Sequence, residues 1–349
     1  MNGKPSVWIS RPTFAEVTAR LEPYFDVIVE PEERHFSSED LADRLASHDA
    51  AIVGMKERIG AAEIAAANKL RIVANLAVGY DNLDLPALTA AGIAASNTAD
   101  VLNESVADFA WALMLGAARH VGAAERWLRA GRWHATKFKA WLGMDLRGRT
   151  LGILGMGRIG QAIARRAPGF GMSVIYHNRS RLPGSVEQEC RAAYADKAQL
   201  LRESDFLILV LPLMPETRHA IGAAELAQMK ATAVLVNVAR GGIVDDVALA
   251  AALREGRLAA AGLDVFENEP ALVPALLDLD NVLLSPHIAS ATHDTRRAMT
   301  AMAVDNVLAV FGHGPHAGHP PSVLNPQVLA SADLTPSPTA KKPTDEQEE

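Results

Sequence analysis

The sequence predicts an α/β protein of two doubly wound domains, each built on a parallel sheet, with a cleft between them. Three observations predict this fold: the length of 349 residues, an alternation of β-branched runs with helical stretches, and one glycine-rich turn that follows a strand. A chain this long exceeds the usual domain size of roughly 100–200 residues. The balance of 49% hydrophobic and 21% charged residues is typical of a globular chain with enough apolar surface for a large core.

The first hundred residues predict one domain of alternating strands and helices. Short runs rich in β-branched residues predict strands at Ser6–Ile9, Val27–Val29, Ala51–Val53, Arg71–Leu76 and Ile93–Ser96. Helical stretches separate the first of them, at Phe14–Leu21, Ser38–Leu45 and Ala61–Ala67. This region has no glycine-rich turn, so we do not expect it to hold a cofactor.

A second series of strands predicts the other domain. It follows a helix near residues 104–121 and has strands at Leu151–Leu154, Val174–Tyr176, Phe206–Leu211, Ala233–Val236, Gly262–Val265 and Val282–Leu284. Nearly continuous apolar runs indicate strands that are buried on both faces, as helices above and below a sheet require. The helix near 104–121 is itself apolar almost all round, so either the core of its own domain or a second subunit covers it.

The C-terminal part of the chain is predicted to return to the first domain. A helix is expected from about Ala298 to Val310, before a stretch rich in Gly, His and Pro. The predicted boundaries are therefore 1–101 with 286–327 for the first domain and 102–285 for the second. Residues 328–349 are biased towards Pro, Thr, Lys and Glu, which bury too little surface to offset chain entropy, and are predicted to form a disordered tail.

A motif with the spacing G-x-G-x-x-G lies between a predicted strand and a predicted helix, in the run Gly155, Met156, Gly157, Arg158, Ile159 and Gly160. Gly155 permits a tight turn, Gly157 lets backbone amides approach a pyrophosphate, and Gly160 allows the helix to pack closely on the strand. The positive end of the helix dipole favours the same anion. The sequence therefore predicts that this turn binds a dinucleotide.

The turn after the next strand bears on the choice of dinucleotide. An enzyme that uses NAD usually has an acidic residue here to hold the ribose 2′-hydroxyl, but this chain has Asn178, Arg179 and Ser180. Asn178 lacks the carboxylate that would repel a 2′-phosphate, while Arg179, with Ser180 and Arg181, offers charge-assisted hydrogen bonds to it. This pattern predicts NADP, with NADPH preferred over NADH; the alternative is a solvated basic turn.

Three further residues follow predicted strands, where ligands of open α/β sheets collect. Taken alone, Arg240 would be interpreted as a surface ion pair and His287 as a loop histidine. Together with Glu269 they predict chemistry, because a guanidinium can grip a carboxylate and polarise the neighbouring carbonyl. A histidinium, oriented by a carboxylate, can supply the proton that a carbonyl needs when hydride reduces it.

Taken together, these residues resemble the D-2-hydroxy-acid dehydrogenase family from about residue 45 to residue 326, and most of all its glyoxylate, hydroxypyruvate and 2-ketogluconate reductases. The motifs that carry the resemblance are the glycine turn, Ala77–Asn82, Asn237–Gly241, Gly262–Phe266 with Glu269-Pro270, and Pro286-His287. The resemblance implies two Rossmann-like domains, of which a discontinuous substrate-binding domain closes over the dinucleotide domain and expels water.

The resemblance also implies roles for individual residues. Arg240, Glu269 and His287 would be catalytic, and the backbone amides of Val78 and Gly79 would hold the substrate carboxylate. Asp264 would contact the nicotinamide carboxamide. Further cofactor contacts are implied for Val106, Leu211, Pro212, Val238, Ala239 and Ala289. Trp141 either completes the substrate pocket of a partner subunit or packs within its own chain.

The expected activity is NADPH-dependent reduction of glyoxylate, hydroxypyruvate or 2-ketogluconate to a D-2-hydroxy acid, with NAD as a second cofactor. The alternative is a corepressor-like protein that senses dinucleotides on the same fold. Oxidation of NADPH on addition of glyoxylate or hydroxypyruvate would separate the two. We expect a homodimer and a small-molecule substrate.

Composition excludes several other classes of partner. A formal net charge of −7 gives no field to attract nucleic acid or an anionic membrane. A single cysteine, Cys190, cannot close an internal disulfide, and residues 1–20 lack the pattern of a signal peptide, so we expect a cytoplasmic protein. His313, His316 and His319 lie among glycines and prolines without carboxylates nearby, so no metal is expected.

Overall fold

The computed structural model describes residues 3–135 and 138–331. They divide into two compact units: the described residues up to Val101 with those from Arg296 on, and Leu102–Thr295. The structure thus places residues 286–295 in the second unit, whereas the sequence analysis assigned them to the first. The prediction of a disordered tail from residue 328 is wrong at its start, because a helix continues to Ser331. The rest of that predicted tail, 332–349, lies outside the described residues.

The first unit contains a five-stranded parallel sheet in the order β2-β1-β3-β4-β5. Its strands are β1 Ser6–Ile9, β2 Asp26–Val29, β3 Ala50–Val53, β4 Ile72–Asn75 and β5 Ala94–Ser96. Its helices are α1 Ala15–Thr18, α2 Ser38–Ala46, α3 Ala61–Ile64, α4 Leu85–Ala90, α12 His293–Val310 from Arg296 on, and α13 Gln327–Ser331.

Alternation along β1 explains how this sheet is covered. Val7 and Ile9 point to one face, where they join a buried cluster with Val304 and Val307 of α12. Trp8, between them, points to the other face and packs in a separate cluster that includes residues of α2, α3 and α4. Because successive side chains of a strand point to opposite faces, the side that α2–α4 leave open needs its own cover. Helix α12 covers it together with α1 and the segment after α1.

The second unit contains a seven-stranded parallel sheet in the order β12-β11-β10-β9-β6-β7-β8. Its strands are β6 Thr150–Leu154, β7 Ser173–His177, β8 Ala192–Tyr194, β9 Phe206–Leu209, β10 Val234–Asn237, β11 Ala260–Leu263 and β12 Val282–Leu284. Its helices are α5 Asn103–Ala118, α6 Val121–Arg129, α7 Arg158–Arg166, α8 Gly184–Cys190, α9 Lys197–Glu203, α10 Ala223–Leu226 and α11 Asp246–Arg254.

Two elements of this unit bear on the predictions. Helix α5 packs against α7, β10 and β11 and buries most of its apolar side chains, including Trp111 and Met114, while Glu104, Asp108 and Ala112 are exposed along one face. Its own unit therefore covers most of its apolar surface. The edge strand β8 was not predicted, because its three residues, Ala192–Tyr194, are too few to show a pattern. The order of the strands reverses between β6 and β9, and the carboxyl ends of those two strands are where doubly wound folds bind ligands.

Candidate active site

The glycine turn follows β6 and needs each of its three glycines for a different reason. Gly155 has a φ of +101°, and a Cβ there would lie 2.7 Å from the carbonyl oxygen of Val210. A Cβ at Gly160 would lie 2.5 Å from the carbonyl oxygen of Gly155, so only glycine allows α7 to pack this closely. A Cβ at Gly157 would meet nothing within 4 Å. Gly157 therefore leaves open space at the first turn of α7, which a pyrophosphate can occupy.

The loop after the neighbouring strand β9 lies against the glycine turn. Val210, whose carbonyl lies over Gly155, precedes Leu211 and Pro212, two predicted cofactor residues. Leu211 is half-buried and Pro212 is exposed. Both therefore follow the strand next to β6, at the point where the strand order reverses.

The turn after β7 is held to the glycine turn by the side chain of Asn178, whose Oδ1 accepts a hydrogen bond from the Met156 amide at 2.6 Å. Arg179 and Ser180 are exposed, and among the described residues no hydrogen bond or ion pair engages the Arg179 side chain. Arg181 is engaged differently, because its guanidinium binds both carboxylate oxygens of Glu187, at 2.9 and 2.8 Å. Of the two arginines, Arg179 is the one available to a 2′-phosphate.

Arg240 lies in the loop after β10, which the buried side chain of Asn237 shapes. The Asn237 amide donates to the carbonyl of Arg240 at 3.1 Å and accepts from the Ala239 amide at 3.1 Å. A Cβ at Gly241 would lie 1.8 Å from the carbonyl oxygen of Phe266. Glycine at this position therefore lets the loop after β10 touch the backbone of the loop after β11.

Glu269 and His287 form a hydrogen-bonded pair in this region. His287 Nδ1 lies 2.8 Å from Glu269 Oε2, and the Phe266 amide donates to Glu269 Oε1 at 3.0 Å. Burial favours a higher pKa for Glu269. The hydrogen bond and charge of His287, the Phe266 amide and the charge of Arg240 outweigh burial and hold the pKa of Glu269 below its ordinary value. The structure therefore brings His287 and Glu269 together, and the charge of Arg240 acts on the same carboxylate.

His287 has a backbone conformation that few side chains adopt, with a φ of +55°. The fully buried carboxylate of Asp264 holds this loop. It accepts hydrogen bonds from the Ser285 hydroxyl at 2.6 Å and from the amides of Ile288 and Ala289 at 2.9 and 2.8 Å. The Asp264 backbone carbonyl also accepts from the His287 amide at 2.8 Å. Asp264 thus holds the backbone on both sides of His287. Its contact with a nicotinamide stays a prediction.

The remaining predicted cofactor residues of the second unit surround these loops. Val106, Val238, Ala239 and Ala289 are buried, Ile159 is half-buried, and Arg158 is exposed at the start of α7. The Ser105 hydroxyl, in the first turn of α5, lies 3.3 Å from the carbonyl of Ala289. The start of α5, which includes Val106, therefore lies against the loop that carries His287.

Val78 and Gly79, the predicted substrate-binding amides, belong to the first unit and are half-buried in the loop after β4. Trp141 lies in the second unit, is 39% exposed and has a φ of +58°. Its ring packs edge-on against Trp127 of α6, with the ring centres 5.8 Å apart. Packing within its own chain is thus observed, and a contribution to a partner's pocket stays a prediction.

Sequence reasoning missed two features of this region. No sequence pattern indicated the role of Asn237, because its contacts depend on the shape of the loop that it stabilises. His219, for which the sequence suggested no partner, lies with Nε2 3.2 Å from Glu267 Oε2 and has a φ of +49°. This second histidine–glutamate pair lies in the loops after β9 and β11, and its glutamate is two residues before Glu269 in the chain.

The described ranges show neither a metal cluster nor a membrane-spanning helix. Within residues 3–135 and 138–331, no group of three or more His, Cys, Asp or Glu side chains could hold a metal ion. His313, one of the three C-terminal histidines, instead stacks on Tyr24 with ring centres 4.2 Å apart. In the same ranges no helix combines the length and the apolar character needed to cross a membrane.

Comparison with known proteins identifies the family. The model of the "D-isomer specific 2-hydroxyacid dehydrogenase, NAD binding domain" matches residues 111–289. A glyoxylate reductase from Thermococcus onnurineus is 46% identical over 331 residues, which cover 93% of this chain and 97% of that protein.

Solved structures agree with this match. An NADPH-dependent glyoxylate/hydroxypyruvate reductase from Sinorhizobium meliloti, in complex with NADP and malonate, is 37% identical with a TM-score of 0.81, over 92% of this chain and 97% of that one. A glyoxylate reductase from Paecilomyes thermophila is 35% identical with a TM-score of 0.83, over 93% and 100% of the two chains. With its two parallel-sheet α/β units, the chain therefore belongs to the D-isomer-specific 2-hydroxyacid dehydrogenase family and is an oxidoreductase.

Proposed function

We propose that this protein uses NADPH to reduce small 2-oxo acids to D-2-hydroxy acids, with glyoxylate and hydroxypyruvate as the main substrates and 2-ketogluconate as a further candidate. The observation that carries the proposal is the hydrogen bond of 2.8 Å between His287 Nδ1 and Glu269 Oε2. The positive charge of Arg240 acts on the same glutamate and lowers its pKa. All three residues follow strands of the sheet that also carries the glycine turn. Relatives named glyoxylate reductase support the substrate class.

The open space at Gly157, the helix that starts beside it and the exposed Arg179 fit a dinucleotide. When bound, the dihydronicotinamide supplies a hydride. In our proposal Arg240 binds the substrate carboxylate and polarises the neighbouring carbonyl, which makes the alpha carbon a better hydride acceptor. Because His287 Nδ1 faces Glu269, Nε2 is the nitrogen that donates a proton to the developing alkoxide. Glu269 stabilises the imidazolium before that transfer.

The preference for NADPH rests on the turn after β7. Asn178 is neutral and already bonded to the Met156 amide, and Arg179 is exposed beside it. A guanidinium can form two parallel hydrogen bonds to a 2′-phosphate, whereas the 2′-hydroxyl of NADH has no charge to match. The Sinorhizobium meliloti relative, whose structure contains NADP, supports the same choice. NAD is proposed as a weaker cofactor.

The test is turnover by the purified protein and by two matched variants. NADPH oxidation is followed with glyoxylate, hydroxypyruvate, pyruvate and 2-ketogluconate, with NADH in parallel. We expect His287→Asn to lower kcat by about 10²- to 10⁴-fold, because it removes the proton donor. Asparagine tolerates the positive φ of this position, so the loop should persist.

The control is His219→Asn, since His219 also has a positive φ and a glutamate partner. It should keep kcat within about 3-fold, the effect of a change outside the reacting groups. Absence of turnover with every 2-oxo acid, with binding of NADPH retained, would instead favour the dinucleotide-sensing alternative.

We further propose that two copies associate through the second unit. Along α6 and the segment after it, large apolar side chains are exposed: Val121, Leu128, Trp133, Phe138 and Leu142. Large apolar side chains that are exposed close together along a chain are typical of a contact with another protein. Sedimentation equilibrium should give a homodimer for the native chain and a monomer for a Leu128→Glu, Trp133→Glu double variant.

The other expected partners stay proposals. The net charge of −7 supports a small-molecule substrate rather than nucleic acid or a membrane. Cys190 is fully buried, so it is unavailable for a disulfide with another chain, which fits the reducing cytoplasm. Fractionation of cells that express the protein would test this location.

A further inference from the structure

In the loop after β4 of the first unit, three consecutive backbone carbonyl oxygens accept hydrogen bonds. The carbonyl of Ala77 accepts from the Thr98 amide at 3.0 Å. The carbonyl of Val78 accepts from Asn97 Nδ2 at 2.8 Å, and that of Gly79 accepts from Asn75 Nδ2 at 2.9 Å. Three consecutive carbonyls are therefore held by groups of the same unit.

These bonds determine where the amides point. In a trans peptide the N–H is directed away from the C=O of the same plane, and the peptides of this loop are trans. Fixing the three carbonyls therefore directs the next three N–H groups, those of Val78, Gly79 and Tyr80, away from the groups that hold the carbonyls. In the described part of the chain, no acceptor takes a hydrogen bond from these three amides. Successive N–H groups without acceptors form a site for an anion.

The two asparagines are themselves fixed by buried contacts. Asn97 is 7% exposed, and its Oδ1 accepts from the Ser322 hydroxyl at 2.6 Å. Asn75 is fully buried and its Nδ2 also lies 3.2 Å from Asn82 Oδ1. Asn82 in turn donates to the carbonyls of Gly54 and Glu57. Rotation of either amide would break a second hydrogen bond, so the orientation of the loop is set before a ligand arrives.

We propose that Asn97 and Asn75 are positioning residues that aim the N–H groups of Val78, Gly79 and Tyr80 at the carboxylate of the substrate. The inference rests on the proposed function, because that function supplies the carboxylate. It adds the amide of Tyr80 as a third donor and assigns the orientation of all three to side chains that do not touch substrate. An amide that points at a carboxylate binds it far better than one that must first rotate, because the reorganisation precedes binding.

The test uses Asn97→Asp, with Asn325→Asp as its control. The first variant keeps the size of the side chain and an acceptor for Ser322, but it turns a carboxylate oxygen towards the carbonyl of Val78. Asn325 is also buried in the first unit, and its amide donates to Thr89 and the Ile93 carbonyl and accepts from the Ala95 amide. These partners lie outside the loop after β4, so the variant reports the cost of changing a buried asparagine.

We expect Asn97→Asp to raise KM for glyoxylate by about 10- to 100-fold, the loss of one or more bonds to a charged group, while KM for NADPH changes less than 3-fold. Asn325→Asp should lower Tm but leave KM for glyoxylate near its native value. Ser322→Ala, which retains the Asn97 amide and frees only its orientation, should raise KM by a smaller factor. This milder variant provides the test should Asn97→Asp not fold.

A second readout separates the inference from the proposed function. Oxamate resembles a 2-oxo acid but is not reduced, and its binding to the NADPH-loaded protein can be measured by titration calorimetry. Weaker oxamate binding in Asn97→Asp than in Asn325→Asp would support the positioning role even where glyoxylate is not turned over. Equal glyoxylate KM or equal oxamate affinity in the two folded variants would overturn it. A native protein that binds oxamate without reducing any 2-oxo acid would contradict the proposed function alone.

Discussion

The two parallel sheets of this protein show how similar topologies use the same position differently. In the second unit the strand order reverses between β6 and β9, and Gly157 leaves space there that a ligand can fill. In the first unit the order reverses between β1 and β3. There the guanidinium of Arg11 occupies the space, with NH2 2.2 Å from where a Cβ of Gly54 would stand. Glycine thus makes room for a ligand in one sheet and for the chain's own side chain in the other.

Each unit also has a glutamate in a loop after a strand, and the two glutamates have different partners. Glu57 is 3% exposed and binds Arg11 at 2.8 Å, the Ser10 hydroxyl at 3.1 Å and the Gly54 amide at 2.6 Å. Its partners leave no proton to transfer at neutral pH, because arginine stays charged. Glu269 instead binds a histidine whose side chain is 22% exposed. The two carboxylates thus differ in exposure and in partner, because Glu57 is held by an arginine in the interior, whereas Glu269 faces an accessible imidazole.

The largest expected effect comes from placing a side chain in the open space at Gly157. Gly157 has φ −77° and ψ −163°, which any residue adopts, so Gly157→Val should fold normally. It should weaken NADPH binding by about 100-fold or more, because the valine displaces the phosphate from the amides at the start of α7. Fluorescence titration measures the affinity. Gly169→Val, also at a glycine with open space, is the control. Unchanged affinity in Gly157→Val would break the distinction between the two sheets.

At Gly54, where Arg11 already fills the space, a side chain is expected to lower stability and leave cofactor binding unchanged. Gly54→Ala should force Arg11 away from Glu57 and lower the free energy of unfolding by about 1–3 kcal/mol, as overpacking of a buried site does. NADPH affinity should stay the same, since no cofactor residue changes. Chemical denaturation of both proteins gives the free energies. A stable Gly54→Ala that loses cofactor would show that the first sheet takes part in dinucleotide binding.

The smallest effect concerns the pKa of Glu269. A depressed pKa means that the folded state favours the carboxylate, so its contribution to stability is present above its unfolded pKa and is lost as pH falls through the folded value. The Tm of the native protein should therefore exceed that of Glu269→Gln near neutral pH. The difference should shrink below the ordinary value of 4.5. A difference that grows on acidification would contradict the assigned pairing.

The sequence was most informative where function constrains residue type. The glycine turn, Arg240, Glu269 and His287 could be singled out because a motif or a chemical requirement restricts them, and the structure places each after a strand, while their roles stay predictions. The predicted strand Gly262–Val265 lies at Ala260–Leu263 instead, because Asp264 leaves the sheet to hold the loop of His287. That role depends on hydrogen bonds to backbone groups more than twenty residues away, and no local pattern encodes them.

The limits of sequence reasoning are clearest in the first unit. Because the first unit has no glycine motif, sequence reasoning predicted its strands and helices but assigned no role to Arg11, Glu57 or the asparagines of the loop after β4. Asn75 and Asn97 lie at or just after strand ends, where polar residues are common. Their significance arises from which carbonyls they reach, and that follows from the packing of β4 beside β5.

The pH dependence of the two reaction directions tests the central claim most directly, the claim that His287 held by Glu269 exchanges the proton. Initial rates of hydroxypyruvate reduction and D-glycerate oxidation would be measured across pH with the native protein. We predict that kcat/KM for reduction falls as pH rises, because reduction needs the protonated ring, and that kcat/KM for oxidation rises over the same range. Parallel profiles in the two directions would contradict the account.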